Sequence, residues 1–479
     1  MVDSAPGTLR MGGAPGRGVI AATTIGSGMA LLDGTVVNIA LRTIGEELDT
    51  TLAELQWITN AYLLSLASLI LLGGSLGDRF GRRKVFVVGT VWFALASALC
   101  GLAPTPEVLV AARLLQGVGA ALLTPGSLAI LETTFRPEDR APAIGAWSAL
   151  GSIAAAVGPF VGGLLVDQAS WRWIFWINLP LAVLTVVLAR RYVPESRDPS
   201  PPQRFDLAGA VLVTLALAGL TYGLIQWGGS AAVVAGLVGI GAMGAFVLVE
   251  QRVSEPLLPL GLFASRTFSA ANAMTLVVYG ALGAVLFFLV IELQTVSGYS
   301  AFAAGIATLP VTICMLLLAT AGGRLGARIG PRIPMTFGPL VMAAGSLLLL
   351  RVGPDTAGVS GYLADVVPGL VVFGLGLALL VATLTATVLA AAPQHHAGVA
   401  SGVNNALARA GSLLAIAALP VAVGLGGEAY ADPTAFDTGY TRAVVACAVL
   451  LSIGAAVSWT MIRSDVLERP VGEGAPTGP

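Results

Sequence analysis

Fourteen long apolar stretches, separated by short polar segments, most strongly limit what this chain can fold into. A helix needs about 20 mostly apolar residues to cross the hydrocarbon core of a bilayer. Only 11% of the 479 residues are charged, whereas a soluble chain carries about a quarter. The chain is therefore predicted to be an all-α membrane protein. The predicted transmembrane helices lie near 19–41, 55–77, 85–103, 108–132, 142–166, 173–190, 206–227, 231–250, 268–293, 302–323, 334–350, 362–388, 397–424 and 441–462.

The basic residues predict the orientation of these spans, because Lys and Arg are enriched in cytoplasmic loops. With fourteen spans, 19 of the 25 basic residues fall on the side of the two chain ends. Both termini are therefore expected in the cytoplasm. The other six basic residues are Arg42, Arg172, Arg351 and Arg442 on the opposite side, and Arg113 and Arg409 within spans.

One charged segment occurs twice. Residues 73–84 read GGSLGDRFGRRK, and residues 322–333 read GGRLGARIGPRI, with seven identical positions. Internal repeats in two halves are typical of transporters, so the chain divides into six spans, two inserted spans and six spans. The predicted units are a disordered cytoplasmic tail (1–18), an N-terminal six-helix bundle (19–190), a linker with two inserted helices (191–267), a C-terminal six-helix bundle (268–462) and a second cytoplasmic tail (463–479).

The residue types of the first copy suit a packed turn at a membrane face. Gly73 and Gly77 lie four apart on one helix face, where another helix can approach closely, and Gly81 permits a tight turn. Asp78 can pair with the arginines or cap a neighbouring helix, whereas the second copy has Ala327 at that position. The alternative interpretation is a positively charged anchor that only holds the loop in the cytoplasm.

This segment resembles the signature between helices 2 and 3 of the major facilitator superfamily. Three further stretches resemble its fourteen-helix drug:proton antiporters, the EmrB/QacA type: LLDGTVVNIAL (31–41), RLLQGVGAALLTPGS (113–127) and GSIAAAVGPFVGG (151–163). The resemblance implies two six-helix bundles that alternate access and export small amphipathic or cationic drugs in exchange for protons. It also implies conformational gating by Gly73, Gly77, Asp78, Arg79, Gly81, Arg82 and Arg83.

Asp33 is an acid within the first span. A charged side chain there costs about 2.5–3.5 kcal/mol on insertion scales, so a functional or structural role is expected for Asp33. A carboxyl group whose surroundings change between two conformations can bind a proton in one and release it in the other. Asp33 is thus predicted to carry a proton or to bind a cationic substrate. The alternative is a structural hydrogen bond to Asn38, Thr35 or the backbone.

Arg113 carries the same insertion penalty in the fourth span. It can polarise water or pair with a carboxylate, and the resemblance implies a part in proton transfer. The alternatives are a structural salt bridge or an arginine that extends to the membrane surface. Gln116, one turn along, faces the same way and is predicted to contact substrate.

The fifth span contains glycines and a proline that suit a kink and close helix packing better than a plain helix. The resemblance implies that this stretch seals the protein and favours outward transport, and the alternative is ordinary packing of small residues. The predicted gating residues of this span are Gly151, Gly158, Pro159, Gly162 and Gly163.

Other polar residues within spans are predicted to contact substrate. Glu292 stands where the family usually has an aromatic or apolar residue, and it either contacts a cationic substrate or reaches interfacial water. The predicted substrate contacts are Asn38, Asn60, Tyr62, Gln116, Glu292, Gln294, Asn404 and Arg409.

Motifs of other protein classes are absent from the sequence. It has no GxxxxGK[ST] phosphate loop, no HExxH zinc pattern, no GxSxG elbow with triad partners and no basic stripe for nucleic acid. We therefore expect that the protein is not an enzyme and binds no cofactor, metal or nucleic acid. We expect a monomer in a bacterial plasma membrane that draws its energy from the proton gradient. The alternatives are a proton-coupled importer and, less favoured because the soluble segments are short, a non-transporting sensor.

Overall fold

A computed structural model describes residues 7–199, 205–393, 396–425 and 432–467. In that part of the chain, fourteen helices are long and apolar enough to cross a membrane, as the sequence predicts. They are Ala14–Leu48 (α1), Leu52–Phe80 (α2), Arg82–Gly101 (α3), Pro106–Thr134 (α4), Pro137–Gln168 (α5), Trp173–Tyr192 (α6), Leu207–Ile225 (α7), Ser230–Glu250 (α8), Arg266–Thr295 (α9), Ala301–Ile329 (α10), Arg332–Arg351 (α11), Gly358–Ala390 (α12), Ala397–Val423 (α13) and Pro433–Met461 (α14).

The first helix begins earlier than the sequence predicts. α1 starts at Ala14, inside the segment 1–18 expected to be a disordered tail. Pro15 lies in its first turn, where a helix tolerates the missing N–H of proline because that group has no intrahelical partner. Of the two expected tails, residues 1–6 and 468–479 lie outside the described residues.

The two halves repeat the same helix packing. In the first half α4 packs against α2 and α3, and α1 packs against α5 and α6; in the second half α12 packs against α10 and α11, and α9 against α13 and α14. The repeated glycines make the same contact twice. A Cβ at Gly73 would collide with the main-chain oxygen of Ala121, and one at Gly322 with that of Ala378. The internal repeat of the sequence is therefore a repeat of structure.

The inserted helices form a hairpin at one side of the two halves. α7 packs against α8 and also contacts α2 and α13, one helix from each half. The Trp57 ring of α2 lies 6.2 Å from the Tyr222 ring of α7. α8 instead exposes a row of apolar side chains, including Val234, Leu237 and Val238. Such a surface suits contact with lipid tails.

The two halves are joined at one end of the bundle. We call the end where α1 begins and α14 ends the terminal face, and the other end the opposite face. At the opposite face the Asp167 carboxylate of α5 accepts hydrogen bonds from the main-chain nitrogens of Ala301 (3.1 Å) and Phe302 (3.0 Å), the first residues of α10. α4 packs against helices of its own half, and Glu132 near its terminal-face end is exposed. The cleft between the halves is thus closed at the opposite face.

Candidate functional site

A buried ion pair joins the charged residues of the first and fourth helices. Asp33 of α1 and Arg113 of α4 are each 1% exposed, and Arg113 Nη1 donates a hydrogen bond to Asp33 Oδ2. Gln116, one turn along α4, donates from Nε2 to the other carboxylate oxygen at 2.8 Å. Both oxygens of Asp33 are therefore held by donors from α4.

Helix α2 completes the surroundings of Arg113. The Arg113 Nε donates to the main-chain oxygen of Ile58 at 3.2 Å, and its guanidinium carbon lies 4.4 Å from the centre of the Tyr62 ring, an arrangement that stabilises a cation. The Tyr62 hydroxyl in turn donates to the main-chain oxygen of Ala30 at 3.1 Å. Arg113 Nη1 also donates to Gln116 Oε1 at 2.6 Å. The ion pair thus lies at the junction of α1, α2 and α4.

This arrangement can couple proton binding to helix movement. Removing one partner of a buried ion pair leaves an uncompensated charge that costs about 3–5 kcal/mol, so Asp33 and Arg113 stabilise each other in this conformation. A proton on Asp33 cancels the carboxylate charge and with it most of the attraction for Arg113. Binding of a proton and separation of α1 from α4 therefore favour each other, because such coupling is reciprocal.

The second half contributes one charge to the same region. Arg409 of α13 interacts electrostatically with Tyr62 in α2 and Tyr279 in α9. Its side chain is half-buried, and it forms no hydrogen bond or ion pair within the residues that the structure describes. We call Asp33, Tyr62, Arg113, Gln116 and Arg409 the central cluster. Its one acid is already paired with a base, so the cluster carries a formal charge of one positive unit.

The predicted asparagine contacts differ in how far they are already engaged. Asn404 donates from Nδ2 to Thr275 Oγ1 at 2.7 Å, and so links α13 to α9. The buried side chain of Asn60 has no hydrogen-bond partner among the described residues, and the same holds for Asn38 Oδ1. A buried amide without a protein partner is a place where a ligand or water can bind.

Gln294 lies at the opposite face and not in the central cluster. Its Nε2 donates to the main-chain oxygen of Ile39 at 3.0 Å, and its own main-chain oxygen accepts a hydrogen bond from Arg42. Glu292, two residues earlier, is also at this end of α9 and is fully buried. The structure therefore separates these two predicted substrate contacts from the ion pair of the first half. No three His, Cys, Asp or Glu side chains of the described residues are grouped so that they could hold a metal ion.

The repeated segment at the terminal face contains its own ion pair. Arg82 Nη2 and Asp78 Oδ1 lie 2.7 Å apart. The Arg79 guanidinium lies 4.8 Å from the centre of the Phe205 ring, just before α7. Gly77 is less closely packed than Gly73, because a Cβ at Gly77 would have no atom nearer than 3.9 Å.

The end of this segment is fixed to the chain that follows α6. The main-chain nitrogen of Arg83 donates to Glu195 Oε1 at 3.0 Å. Gly81 has a φ of 113°, which favours glycine, and a Cβ there would lie 2.6 Å from the same oxygen. Glu195 was not predicted from the sequence, because its partner lies 112 residues away and nothing local to Glu195 marks it.

The glycines of α5 allow close packing against α1. A Cβ at Gly158 would lie 2.7 Å from Thr35 Oγ1, and one at Gly162 would lie 2.5 Å from Val36 Cγ1. Gly151 differs, because the nearest atom to its Cβ position is 3.8 Å away.

On its other side α5 meets α10 of the second half. A Cβ at Gly163 would lie 2.5 Å from Phe302 Cα, and the main-chain oxygen of Pro159 lies 2.5 Å from the Cβ position of Gly305. The two backbones touch here without intervening side chains. Of the predicted gating residues of α5, Pro159 and Gly163 thus lie where the two halves close.

Comparison with known proteins identifies the family. The sequence profile described as Major Facilitator Superfamily matches residues 23–416. The chain belongs to the major facilitator superfamily. This confirms the resemblance drawn from the motifs, and with it the expected class of multi-pass membrane transporter rather than enzyme.

Several curated relatives of this facilitator are named for antibiotic resistance or export. It is 36% identical over 451 residues to the puromycin resistance protein pur8 of Streptomyces alboniger, covering 91% of this chain and 89% of that one. It is 37% identical over 411 residues to the tetracenomycin C resistance and export protein of Streptomyces glaucescens (84% and 74% covered). It is 35% identical over 406 residues to the multidrug resistance protein Stp of Mycobacterium tuberculosis (83% and 74%).

Solved structures share the fold of this facilitator. A POT family transporter in complex with 5-aminolevulinic acid superposes with a TM-score of 0.71 at 13% identity, covering 97% of this chain and 99% of that one. The D-xylose-proton symporter superposes with a TM-score of 0.62 at 14% identity, covering 94% and 98%. At these identities the likeness concerns the fold alone.

Proposed function

We propose that this facilitator exports small amphipathic molecules, antibiotics among them, across a bacterial plasma membrane in exchange for protons. The names of the relatives support drug efflux. The distribution of basic residues supports cytoplasmic termini, so that the terminal face is the cytoplasmic one.

The observation that carries proton coupling is the ion pair of Asp33 and Arg113. In the conformation described, both carboxylate oxygens of Asp33 accept hydrogen bonds, one from Arg113 and one from Gln116. A proton that enters from outside neutralises Asp33 and frees it from Arg113, and the return to the inward-open state releases that proton to the cytoplasm. Substrate is bound near the same cluster and leaves during the opposite half of the cycle.

One proton per substrate supplies enough free energy for this work. A charge that moves through 100 mV releases about 2.3 kcal/mol, and one pH unit adds about 1.4 kcal/mol. The sum of about 3.7 kcal/mol sustains a concentration ratio of several hundred, since each 1.4 kcal/mol is a factor of about ten.

The charges of the central cluster also bear on the substrate. Asp33 is compensated by Arg113, whereas Arg409 has no partner among the described residues. An uncompensated positive charge attracts anions and repels cations, most strongly where little water screens it. In this conformation the cluster therefore favours neutral or anionic amphipathic molecules over the cationic drugs that the sequence equally suggests.

The gates fit alternating access between the two halves. At the opposite face, α5 and α10 meet at Gly163 and Phe302. At the terminal face, the repeated segment is fixed to the chain after α6 through Glu195. A monomer suffices, because the cluster and both gates are built within one chain.

The test is proton movement in proteoliposomes. Purified protein is reconstituted with an internal pH dye, a proton gradient with an acidic interior is imposed, and an anionic dye such as carboxyfluorescein is added. We expect substrate to trigger proton efflux down the gradient in wild type and not in Asp33→Asn. The matched control is Asp49→Asn, the same chemical change at the exposed position that follows α1.

Two results would contradict the proposal. Equal proton movement in wild type and Asp33→Asn would show that coupling does not use Asp33. Substrate and protons that move in the same direction would show an importer, the alternative that shares this fold.

A further inference from the structure

The second half contains a buried acid that the mechanism above does not use. Glu292, at the opposite-face end of α9, is 0% exposed. Neither of its carboxylate oxygens has a hydrogen-bond donor among the described residues. The half-buried side chain of Asp437, in the second turn of α14, interacts with Glu292 as a neighbouring acid. Two acids thus meet where two helices of the second half pack together.

The polar groups around this pair are already engaged elsewhere. The Tyr440 hydroxyl, one turn along α14, donates to the main-chain oxygen of Leu349 at 3.1 Å. The Ser297 hydroxyl donates to the main-chain oxygen of Gly353 at 2.9 Å. The Gln294 side-chain amide donates to the main-chain oxygen of Ile39 in α1. No donor is therefore left over, among the residues that the structure describes, to compensate an ionised Glu292.

Apolar groups complete the enclosure. The ring of Phe288, one turn before Glu292, lies 6.2 Å from the ring of Phe436, the residue before Asp437. Glu292 is enclosed without a donor, and the half-buried Asp437 beside it adds like-charge repulsion, so the two carboxyl groups do not both ionise. A hydrogen bond between two carboxyl groups also requires that one of them keeps its proton.

We propose that Glu292 and Asp437 together bind one proton and form a second proton site, separate from Asp33 and located in the second half. The ligand is a proton rather than a metal ion, because the pair offers two side chains and no third acidic, cysteine or histidine ligand among the described residues. It is not the ammonium group of a substrate, because Glu292 is sealed from the cleft in this conformation.

The position of the pair indicates when the proton exchanges. Gln294, two residues after Glu292, is hydrogen-bonded to α1 at the closed opposite face. Opening of that face breaks this bond and uncovers the end of α9, and closing it encloses the acid again. The second site therefore exchanges its proton with the medium at the opposite face and retains it in the inward-open state. This transport step rests on the proposed function, whereas proton binding itself does not.

Infrared difference spectroscopy of the reconstituted protein tests the proposal directly. A protonated carboxyl group has a carbonyl-stretch band that an ionised one lacks. We expect the wild-type spectrum minus the Glu292→Gln spectrum at neutral pH to show one such band, with slow exchange in D2O because the group is enclosed. Glu292→Asp, which keeps a carboxyl group, should retain the band and guards against a loss caused by misfolding.

Control variants assign the band. Asp33→Asn and Asp49→Asn should leave it unchanged, since neither residue belongs to the pair. Glu250→Gln identifies any carboxyl band that comes from Glu250, another buried acid, which lies at the terminal face. A difference spectrum that shows a lost carboxylate band instead of a lost carboxyl band would overturn the proposal.

Substrate binding provides the competing outcome. If Glu292 holds a cationic substrate, Glu292→Gln should weaken binding of tetraphenylphosphonium, and the carboxyl band should be missing from the wild-type difference spectrum. If the band is present but reconstituted wild type exports nothing, the second proton site stands and the proposed export fails. If export is proton-coupled and the band is absent, only the second site fails.

Discussion

Gln294 Nε2 lies 3.0 Å from the main-chain oxygen of Ile39, and this hydrogen bond ties the end of α9 to α1 across the two halves. Arg42, less than one turn further along α1, donates to the main-chain oxygen of Gln294 in return. The same short stretch of α9 holds Glu292, the buried acid of the proposed second proton site. Closure of the opposite face and enclosure of that acid therefore depend on one helix end.

Replacing Gln294 should loosen the opposite face. Gln294→Leu removes the hydrogen bond to Ile39, and such a bond contributes about 0.5–1.5 kcal/mol, which shifts an open–closed equilibrium by roughly two- to tenfold. We expect a cysteine introduced at Ala301, which is buried in this closure, to react correspondingly faster with an impermeant maleimide. The background has its three buried cysteines, Cys100, Cys314 and Cys447, replaced by alanine.

The control for this experiment is Gln226→Leu, the same change at an exposed residue on the same face. Equal labelling of the Gln294→Leu and Gln226→Leu proteins would show that the bond to Ile39 does not hold the face closed.

The ion pair of Asp33 and Arg113 should behave as a unit in stability measurements. Either Asp33→Asn or Arg113→Gln alone leaves a buried charge uncompensated and should cost about 3–5 kcal/mol. The double variant removes both charges and should be less destabilised than the sum, with a coupling free energy of about 1–3 kcal/mol. Unfolding in detergent, followed by tryptophan fluorescence, measures each variant.

The exposed pair of Arg463 and Asp465 provides a reference for this double-mutant cycle. Exposed pairs contribute at most about 1 kcal/mol, because water screens them. A coupling between Asp33 and Arg113 no larger than that of the exposed pair would mean that the buried contact is absent in the detergent-solubilised protein.

The sequence predicts the spans and the repeat but not the partners of individual side chains. Long apolar stretches are local signals, and all fourteen predicted helices are present. Which side chains contact one another depends instead on how the helices pack. Gly73 and Gly77 have the same spacing in the sequence, yet only Gly73 lies so close to another helix that a Cβ would collide with its backbone. Likewise Gln294 resembles a substrate contact in the sequence, but its amide is used between the halves.

The sequence predicts which residues form the candidate site better than it predicts how they contact one another. Asp33 and Arg113 stand out individually because each is a charge within an apolar span. Their direct contact does not follow from the sequence, since 80 residues separate them and the sequence leaves several partners open for each. The pairing of Glu292 with Asp437 was equally out of reach, because Asp437 lies near a helix end where an acid needs no explanation.

Two glycines of α5 should respond differently to the same substitution. Gly163→Ala places a methyl group 2.5 Å from the backbone of α10, which cannot move aside as a side chain could, so the two halves should separate at the opposite face. Gly151→Ala meets only Leu31, at an ordinary contact distance of 3.8 Å. We expect faster passive proton leak through proteoliposomes with Gly163→Ala and no change with Gly151→Ala. Equal leak in both would show that α5 does not form the seal.

Arg409 should set the preference of the central cluster for substrate charge. Its guanidinium interacts electrostatically with Tyr62 and Tyr279 but forms no hydrogen bond or ion pair among the described residues, so it is available to a carboxylate or phenolate on a substrate. A hydrogen bond to a charged group contributes about 1.5–3 kcal/mol, which corresponds to roughly tenfold or more in affinity. Arg409→Gln should therefore weaken binding of an anionic dye by about that factor.

The same substitution should strengthen binding of a cationic dye, because it removes a repulsive charge from the cluster. Competition by carboxyfluorescein and rhodamine 6G for one labelled substrate measures both effects in a single assay. Arg442→Gln is the matched control, since Arg442 lies at the opposite face and donates to the main-chain oxygen of Val423 at 3.1 Å. If Arg409→Gln weakens the cation and the anion alike, Arg409 supports the fold of the cleft rather than selecting charge. Selective loss of the anion, with the cation retained, assigns the selection to this residue.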